Sequence, residues 1–238
     1  MMRLPTLLSM AGLAACLLTA CSRESEPDPE YRMSADQLAW QPYHVNDVLR
    51  FGHAKDGKVR TYRITEINEE MVEYSLGLFT KRVDRKQQFN VMAERTDSIQ
   101  FDYITKSSTV GGTLVTTITD SIRHQIRLLR IGLYPAGSSN PPSLAASCFW
   151  GWNPIYFSFP LQEIIFGAPK DYAYLDLTVV PNLTLGPRTY PEVLKAGSKD
   201  TNSRSTRRAK VVRTLYLAKN EGIVGFEEDG TGLWYKLP

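Results

Sequence analysis

The chain has 238 residues, with 28 Lys and Arg against 25 Asp and Glu, so its formal net charge is +3. This balance does not favour nucleic acid as a partner, because such proteins carry a strongly basic surface. The hydrophobic content of 42% is that of a globular domain rather than of a disordered chain.

The first 20 residues have the layout of a secretory signal peptide. Arg3 supplies a positive start, residues 7–20 form an apolar run, and Cys21 follows the small Ala20. The alternative is a transmembrane helix, which needs about 20 apolar residues, and no stop-transfer pattern follows this shorter run. The sequence therefore predicts a signal peptide over residues 1–20.

The stretch Leu18-Thr19-Ala20-Cys21 resembles the lipobox of bacterial lipoproteins. The resemblance implies cleavage before Cys21 and acylation of that Cys, with palmitate among its chains. More than one acyl chain makes membrane attachment durable. Ser22 is the residue that outer-membrane lipoproteins usually show after the Cys, so we expect a lipid-anchored protein of the cell envelope, at the outer membrane.

Residues 21–33 are predicted to be the lipidated Cys and a flexible tether, because this stretch is acidic, polar and Pro-bearing. Residues 34–238 are then a single β-rich domain. Ser34 and Gln37 have the spacing of a capping box, which predicts a short helix near residues 35–40.

Strand signals fill the rest of the chain. Asp56-Gly57 and Gly111-Gly112 are hairpin signals between alternating segments, and residues 71–78 alternate as well. Three further strands are predicted at residues 211–218, 223–227 and 233–237. We predict a mainly β fold with an antiparallel, strongly curved sheet, either a partial barrel or a sandwich, and one or two short helices.

Two segments allow more than one interpretation. Residues 122–131 fit a strand or a basic amphipathic helix on an anionic membrane, and the Thr-rich run before them favours the strand. Residues 197–209 are polar, and we interpret them as a long hairpin loop because strand signals resume at once.

The closing stretch carries a second resemblance. Tyr216-Leu217-Ala218-Lys219-Asn220-Glu221-Gly222-Ile223-Val224-Gly225-Phe226, followed by Gly230, Leu233 and Trp234, resembles the end of uncharacterised lipoproteins from Bacteroidetes-type bacteria. The match covers about 20 residues and is structural, so it implies no activity.

Motifs for catalysis or metal binding do not emerge. His44, His53 and His124 are not at the spacing of metal ligands. A hairpin could bring His44 and His53 together, but two solvated surface histidines would explain the sequence equally well. The chain holds no nucleophile motif and no phosphate loop. We therefore predict no catalytic residue, no metal and no cofactor. Cys148 has apolar neighbours and is predicted to be buried.

The aromatic segment 149–159 is the strongest candidate for ligand binding. Trp150, Trp152, Tyr156 and Phe157 are its candidate site residues, since exposed aromatic rings stack on sugars or line an acyl-chain cavity. The competing interpretation is that these rings pack the core of the sheet.

The sequence is compatible with three functions. The first is a non-enzymatic binding or carrier module for a hydrophobic ligand, which in size, anchoring and strand pattern resembles the lipoprotein carriers of the outer membrane. The second is a structural or interaction lipoprotein that docks on an envelope protein. The third is an envelope hydrolase, for which converging carboxylates or a His-paired Ser would be needed.

Overall fold

The computed structural model describes part of the chain, and its described ranges are residues 29–75, 83–98, 101–110, 112–123, 125–135, 142–148, 157–159, 161, 175–199 and 211–238. The predicted signal peptide, Cys21 and most of the predicted tether lie outside these ranges. Within them, no helix has the length and apolar character needed to cross a membrane.

The domain begins before residue 34. Strand β1 (Glu30–Tyr31) pairs in parallel with β4 (Val83–Arg95), and the backbone N–H of Met33 donates to Oε1 of Gln87 at 2.7 Å. Met33 is also buried in the core. The last residues of the predicted tether 21–33 therefore belong to the folded domain, because they complete a strand edge that the polar composition of the tether did not reveal.

Helix α1 (Ala35–Leu38) starts at the predicted capping box. The Gln37 N–H donates to Oγ of Ser34 at 3.3 Å, and the Ser34 N–H donates to Oε1 of Gln37 at 2.9 Å. These two bonds satisfy backbone donors that the first turn of a helix leaves without partners. The short helix predicted near residues 35–40 is thus confirmed.

The remaining elements are strands, and the predicted fold class is confirmed: the molecule is mainly antiparallel β, with a strongly curled half-barrel sheet. Their bounds are β2 Val48–His53, β3 Val59–Ser75, β4 Val83–Arg95, β5 Phe101–Val110, β6 Thr113–Arg123, β7 Gln125–Tyr134, β8 Ser143–Cys148, β9 Phe157–Phe159, β10 Leu175–Leu185, β11 Arg188–Ser198, β12 Val212–Ala218, β13 Gly222–Glu228 and β14 Gly232–Lys236. In the main sheet the order is β10-β11-β12-β13-β14-β2-β3-β4-β7-β8-β9.

Several predicted elements are confirmed in detail. The Asp56-Gly57 turn joins β2 to β3, and Gly57 has a φ of +69°, which glycine adopts without a steric penalty. The ambiguous segment at residues 122–131 is strand rather than helix where it is described, but it does not simply continue the preceding strand: residues 122–123 end β6, and residues 125–131 belong to β7 in the main sheet. The alternating segment that follows Gly57 and the first part of the segment predicted at residues 71–78 form one strand of 17 residues, β3, while residues 76–78 lie outside the described ranges. The polar residues 200–210 lie outside the described ranges.

One face of the curled sheet carries a single large apolar cluster, and we call this the inner face. Its members come from strands along the whole path and pack with Trp40 and Tyr43 from the N-terminal segment. Because side chains from distant strands converge, the sheet must curve toward this face. Among its fully buried members are Phe51, Ile64, Val91, Ile131, Leu144, Phe157, Leu215 and Phe226.

A smaller apolar cluster lies on the opposite, outer face. It forms where the tip of the β10–β11 hairpin packs over β12–β14, and Arg188 fixes the tip by donating to Oε1 of Glu221 at 3.0 Å. Gly225 allows this close packing, since a Cβ there would lie 3.2 Å from Cδ1 of Leu185. The cluster consists of Leu185, Tyr190, Val193, Tyr216, Ala218 and Val224.

Strands β5 and β6 form a separate two-stranded sheet, which we call the arm. It is inserted between β4 and β7 in the chain, and its described side chains at residues 105–109 and 112–119 are exposed. Oγ of Ser107 and Oγ1 of Thr116 lie 3.1 Å apart across the arm, so both residues share one face. The predicted hairpin at Gly111-Gly112 is confirmed by this pairing.

Candidate functional site

A cleft of about 320 Å³ lies at one end of the inner face, and we call it the Trp234 cleft. Four elements that neighbour one another in the sheet order β14-β2-β3-β4 build it: the end of β2, the start of β3, the segment after β4, and the turn between β13 and β14. Its lining includes His53, Asp56, Lys58, Arg60, Arg95 and Trp234.

The floor of the cleft is aromatic. The ring centroids of Phe226 and Trp234 lie 6.0 Å apart, with the two rings nearly parallel, and Phe51 meets Phe226 edge-on at 5.3 Å. Phe51, Phe226 and Trp234 lie on β2, β13 and β14, and all three side chains point to the inner face. Because these strands lie side by side in the sheet, the three rings come together. The aromatic floor therefore joins the cleft directly to the apolar interior of the half-barrel.

An ion pair covers this floor. Nη2 of Arg60 donates to Oε2 of Glu228 at 2.8 Å, and the guanidinium carbon lies 4.0 Å from the centroid of the Trp234 ring. The two side chains are only 13% and 4% exposed. A bidentate guanidinium–carboxylate pair suits this position, because it satisfies both charges while the cation rests on the indole.

His53 is buried beside the indole. It is 7% exposed, its ring centroid lies 4.8 Å from that of Trp234, and Nε2 lies 2.7 Å from the carbonyl oxygen of Thr231. Nδ1 bonds to the carboxylate of Asp56. Each ring nitrogen therefore faces an oxygen atom of the protein. Both nitrogens are thus committed to the protein itself.

Two more ion pairs border the cleft. Lys58 lies 2.7 Å from Oδ2 of Asp56, and this contact, followed by the bond from His53, lowers the pKa of the Asp56 carboxyl far below its usual range. Burial by itself would raise the pKa of Asp97. The hydrogen bonds from Arg95 and from the Thr61 N–H have the larger effect, so the net result is a lowered pKa.

The polar side chains of the cleft are hydrogen-bonded to one another. The cations are held by carboxylates, and the Thr231 hydroxyl donates to Glu228 at 2.9 Å while it accepts from Nε1 of Trp234 at 3.2 Å. A catalytic pair requires a base within reach of a nucleophile, and His53 instead faces a backbone carbonyl. Over the described ranges, no three metal-ligating side chains converge.

A second buried charge lies at the opposite end of β4. Lys86 is buried, with Nζ 2.9 Å from Oδ2 of Asp84, and its ammonium lies 5.3 Å and 5.1 Å from the ring centroids of Tyr31 and Tyr74. Tyr31 belongs to β1, so this cation–π contact helps to hold the N-terminal strand against β4.

The sequence-predicted site residues divide into two groups. Phe157 lies on β9 with its side chain fully buried in the inner cluster, whereas Trp150, Trp152 and Tyr156 lie outside the described residues. Cys21, the predicted lipidation site, lies outside them as well. Phe157 is therefore placed within the lining of the half-barrel rather than on an exposed patch.

Cys148 and two of the histidines can also be compared with the predictions. Cys148 is buried, as predicted, and burial raises the pKa of its thiol. His44 is exposed, while His53 is buried at the far end of β2, so the two are not brought together. The interpretation of His53 as a surface histidine was wrong, because the turn between β13 and β14 covers it.

The Trp234 cleft was not predicted from the sequence. Arg60 and Glu228 are 168 positions apart, and a period-two pattern gives no information on which strands become neighbours. Trp234 was noted only as part of a C-terminal strand. Comparisons of the chain with protein-family models, curated proteins and solved structures found no match.

Proposed function

We propose that this protein is a lipid-anchored, non-enzymatic lipoprotein of the cell envelope that binds or carries a hydrophobic ligand within its half-barrel. The observation that carries the proposal is the inner face, which is apolar along the curled sheet and ends in the charged Trp234 cleft. An acyl chain with a polar head matches this arrangement, since apolar sites with a few polar groups at one end orient amphipathic ligands.

The sheet offers a route to this interior. Its end strands β9 and β10 are not paired with each other in the described part of the chain, so no ladder of hydrogen bonds closes the curled sheet there. Phe157 on β9 and Leu175 and Leu177 on β10 are buried members of the inner cluster at this side. A ligand would enter by separating such side chains, which exchanges one set of apolar contacts for another.

The proposed anchoring is supported by the N-terminal sequence, in which Cys21 follows a predicted signal peptide. The non-enzymatic role is supported by His53, whose two ring nitrogens are both bonded within the protein. An interaction role is the second candidate, and it is favoured by the exposed apolar side chains of the arm.

A matched pair of variants tests ligand binding by the inner face. Ala196 on β11 is buried in the inner cluster, and Ala218 on β12 is buried in the outer cluster. Leu at either position overfills a packed cluster, at a typical cost of about 1–3 kcal/mol. Binding of a fluorescent fatty acid by the full chain should weaken with Ala196→Leu and persist with Ala218→Leu. Equal binding by both variants, or none by the unmodified chain, would contradict the proposal.

A further inference from the structure

The described side chains of the arm, at residues 105–109 and 112–119, are exposed. Strands β5 and β6 pair only with each other within the described ranges. An unpaired strand edge presents N–H and C=O groups that can pair with another chain, and natural proteins usually protect such edges with charges. Strand β6 carries Asp120 and Arg123 in the part that leads toward β7, whereas its residues 113–119 carry no charge.

The exposed side chains of β6 are apolar to an unusual degree. Leu114 is 70% exposed, Ile118 is 59% exposed and Val115 is 41% exposed. Because side chains alternate along a strand, Leu114, Thr116 and Ile118 lie on one face. That face therefore carries two large apolar groups, placed symmetrically on either side of Thr116.

This symmetry makes the edge of β6 complementary to itself. If two copies of β6 pair antiparallel with Thr116 opposite Thr116, Leu114 of each copy lies opposite Ile118 of the other. Opposed apolar side chains stabilise a strand pair, whereas like charges destabilise it, and residues 113–119 contain no charge. The same pairing joins the two arms into one sheet in the order β5-β6-β6-β5.

The arm is connected to the main sheet at one end of β4. It follows the end of β4 that carries Arg95, while β1 pairs with β4 at Arg85 and Lys86, about 33 Å away at 3.3 Å per residue. Each arm strand is about 30 Å long on the same scale. Antiparallel pairing therefore places the two half-barrels at opposite ends of the shared sheet.

We infer that the arm is a self-association surface, through which a second copy of this chain pairs edge to edge along β6 with Thr116 at the two-fold axis. A two-fold contact of this kind is isologous: the same surface of each copy is used, so Leu114 of one copy meets Ile118 of the other and the reverse. The inference concerns the arm alone and does not depend on the ligand proposed for the half-barrel.

Cysteine substitution tests the register directly. Opposed residues of an antiparallel pair have Cα atoms about 4.5–5.5 Å apart, which is within disulfide geometry. In the full chain with a mild oxidant, Thr116→Cys should form covalent dimers at least about tenfold faster than Thr109→Cys, because pairing replaces random collision. Thr109 is exposed on β5 and would lie one strand away from the pairing edge, so it is the matched control.

A mixed experiment distinguishes this register from any other. Leu114→Cys and Ile118→Cys should cross-link quickly when the two variants are mixed and slowly when each is alone, and the unmodified chain reports the background of the native cysteines. Equal rates for Thr116→Cys and Thr109→Cys would overturn the inference. Fast cross-linking of Leu114→Cys with itself would overturn the proposed register.

Discussion

The guanidinium carbon of Arg60 lies 4.0 Å from the ring centroid of Trp234, and the same guanidinium makes a bidentate pair with Glu228. The cation is thus shared between a carboxylate and an aromatic face at the end of the inner face. Both contacts cross between β3 and the C-terminal strands, so Arg60 links parts of the sheet that are far apart in the sequence.

Removing Arg60 should destabilise the protein strongly. Arg60→Ala leaves the buried carboxylate of Glu228 without its partner, and breaking a buried pair in this way typically costs about 3–5 kcal/mol. The free energy of unfolding from urea titration measures the effect. The double variant Arg60→Met, Glu228→Leu removes both charges and should recover most of the loss. A single variant as stable as the parent would show that Glu228 is satisfied without Arg60.

Two glycines have the same backbone conformation but different surroundings, so substituting each by Ala distinguishes the cost of backbone strain from the cost of a steric clash. Gly57 and Gly222 have φ values of +69° and +70°, but a Cβ would meet nothing within 4 Å at Gly57 and would lie 2.2 Å from Oη of Tyr43 at Gly222. Gly57→Ala should cost about 1–2 kcal/mol of unfolding free energy from the left-handed conformation. Gly222→Ala should cost about 1–3 kcal/mol more, because Tyr43 must move. Equal losses would contradict the contact.

Stability should fall at acid pH through Asp97. The pKa of this carboxyl is lowered from 3.8 in the folded state, since the bonds from Arg95 and the Thr61 N–H outweigh the effect of burial. Its contribution is therefore fully present above pH 3.8 and is lost as the pH falls through the lower folded value. Urea titrations between pH 7 and pH 2 should show this loss.

Two variants test whether the loss of stability at acid pH comes from the Asp97–Arg95 pair. Asp97→Asn and Arg95→Gln should each reduce the slope of unfolding free energy against pH in this window, because the carboxylate or its charged donor is gone. An unchanged slope in both variants would assign the acid sensitivity to other carboxyls, such as Glu221, whose pKa is also lowered through Lys236 despite its burial.

Cys148 should be unreactive in the folded protein. Burial raises the pKa of its thiol, and a thiol that is neither ionised nor accessible is a poor nucleophile. A thiol reagent should therefore label Cys148 only after urea is added, with Cys148→Ser as the control for the other cysteines. Rapid labelling without urea would show that the inner face opens at β8.

The sequence allowed the local elements to be predicted, but not their partners. The capping box at Ser34 and the turn at Gly57 depend on neighbouring residues, so their sequence signals are reliable. The pairing of β1 with β4 and the burial of His53 depend on contacts between distant segments, which alternation does not encode. The arm shows the same limit, because its β-branched residues predict strands without indicating that those strands leave the main sheet.

Native mass spectrometry of the full chain, purified from a bacterial envelope in mild detergent, tests the central claim most directly. We expect a lipid-sized mass adduct that is released on denaturation, that persists with Ala218→Leu and that is reduced with Ala196→Leu. A bare mass for the parent protein, both as purified and after incubation with a long-chain fatty acid, would contradict the account of the half-barrel as a binding module for a hydrophobic ligand.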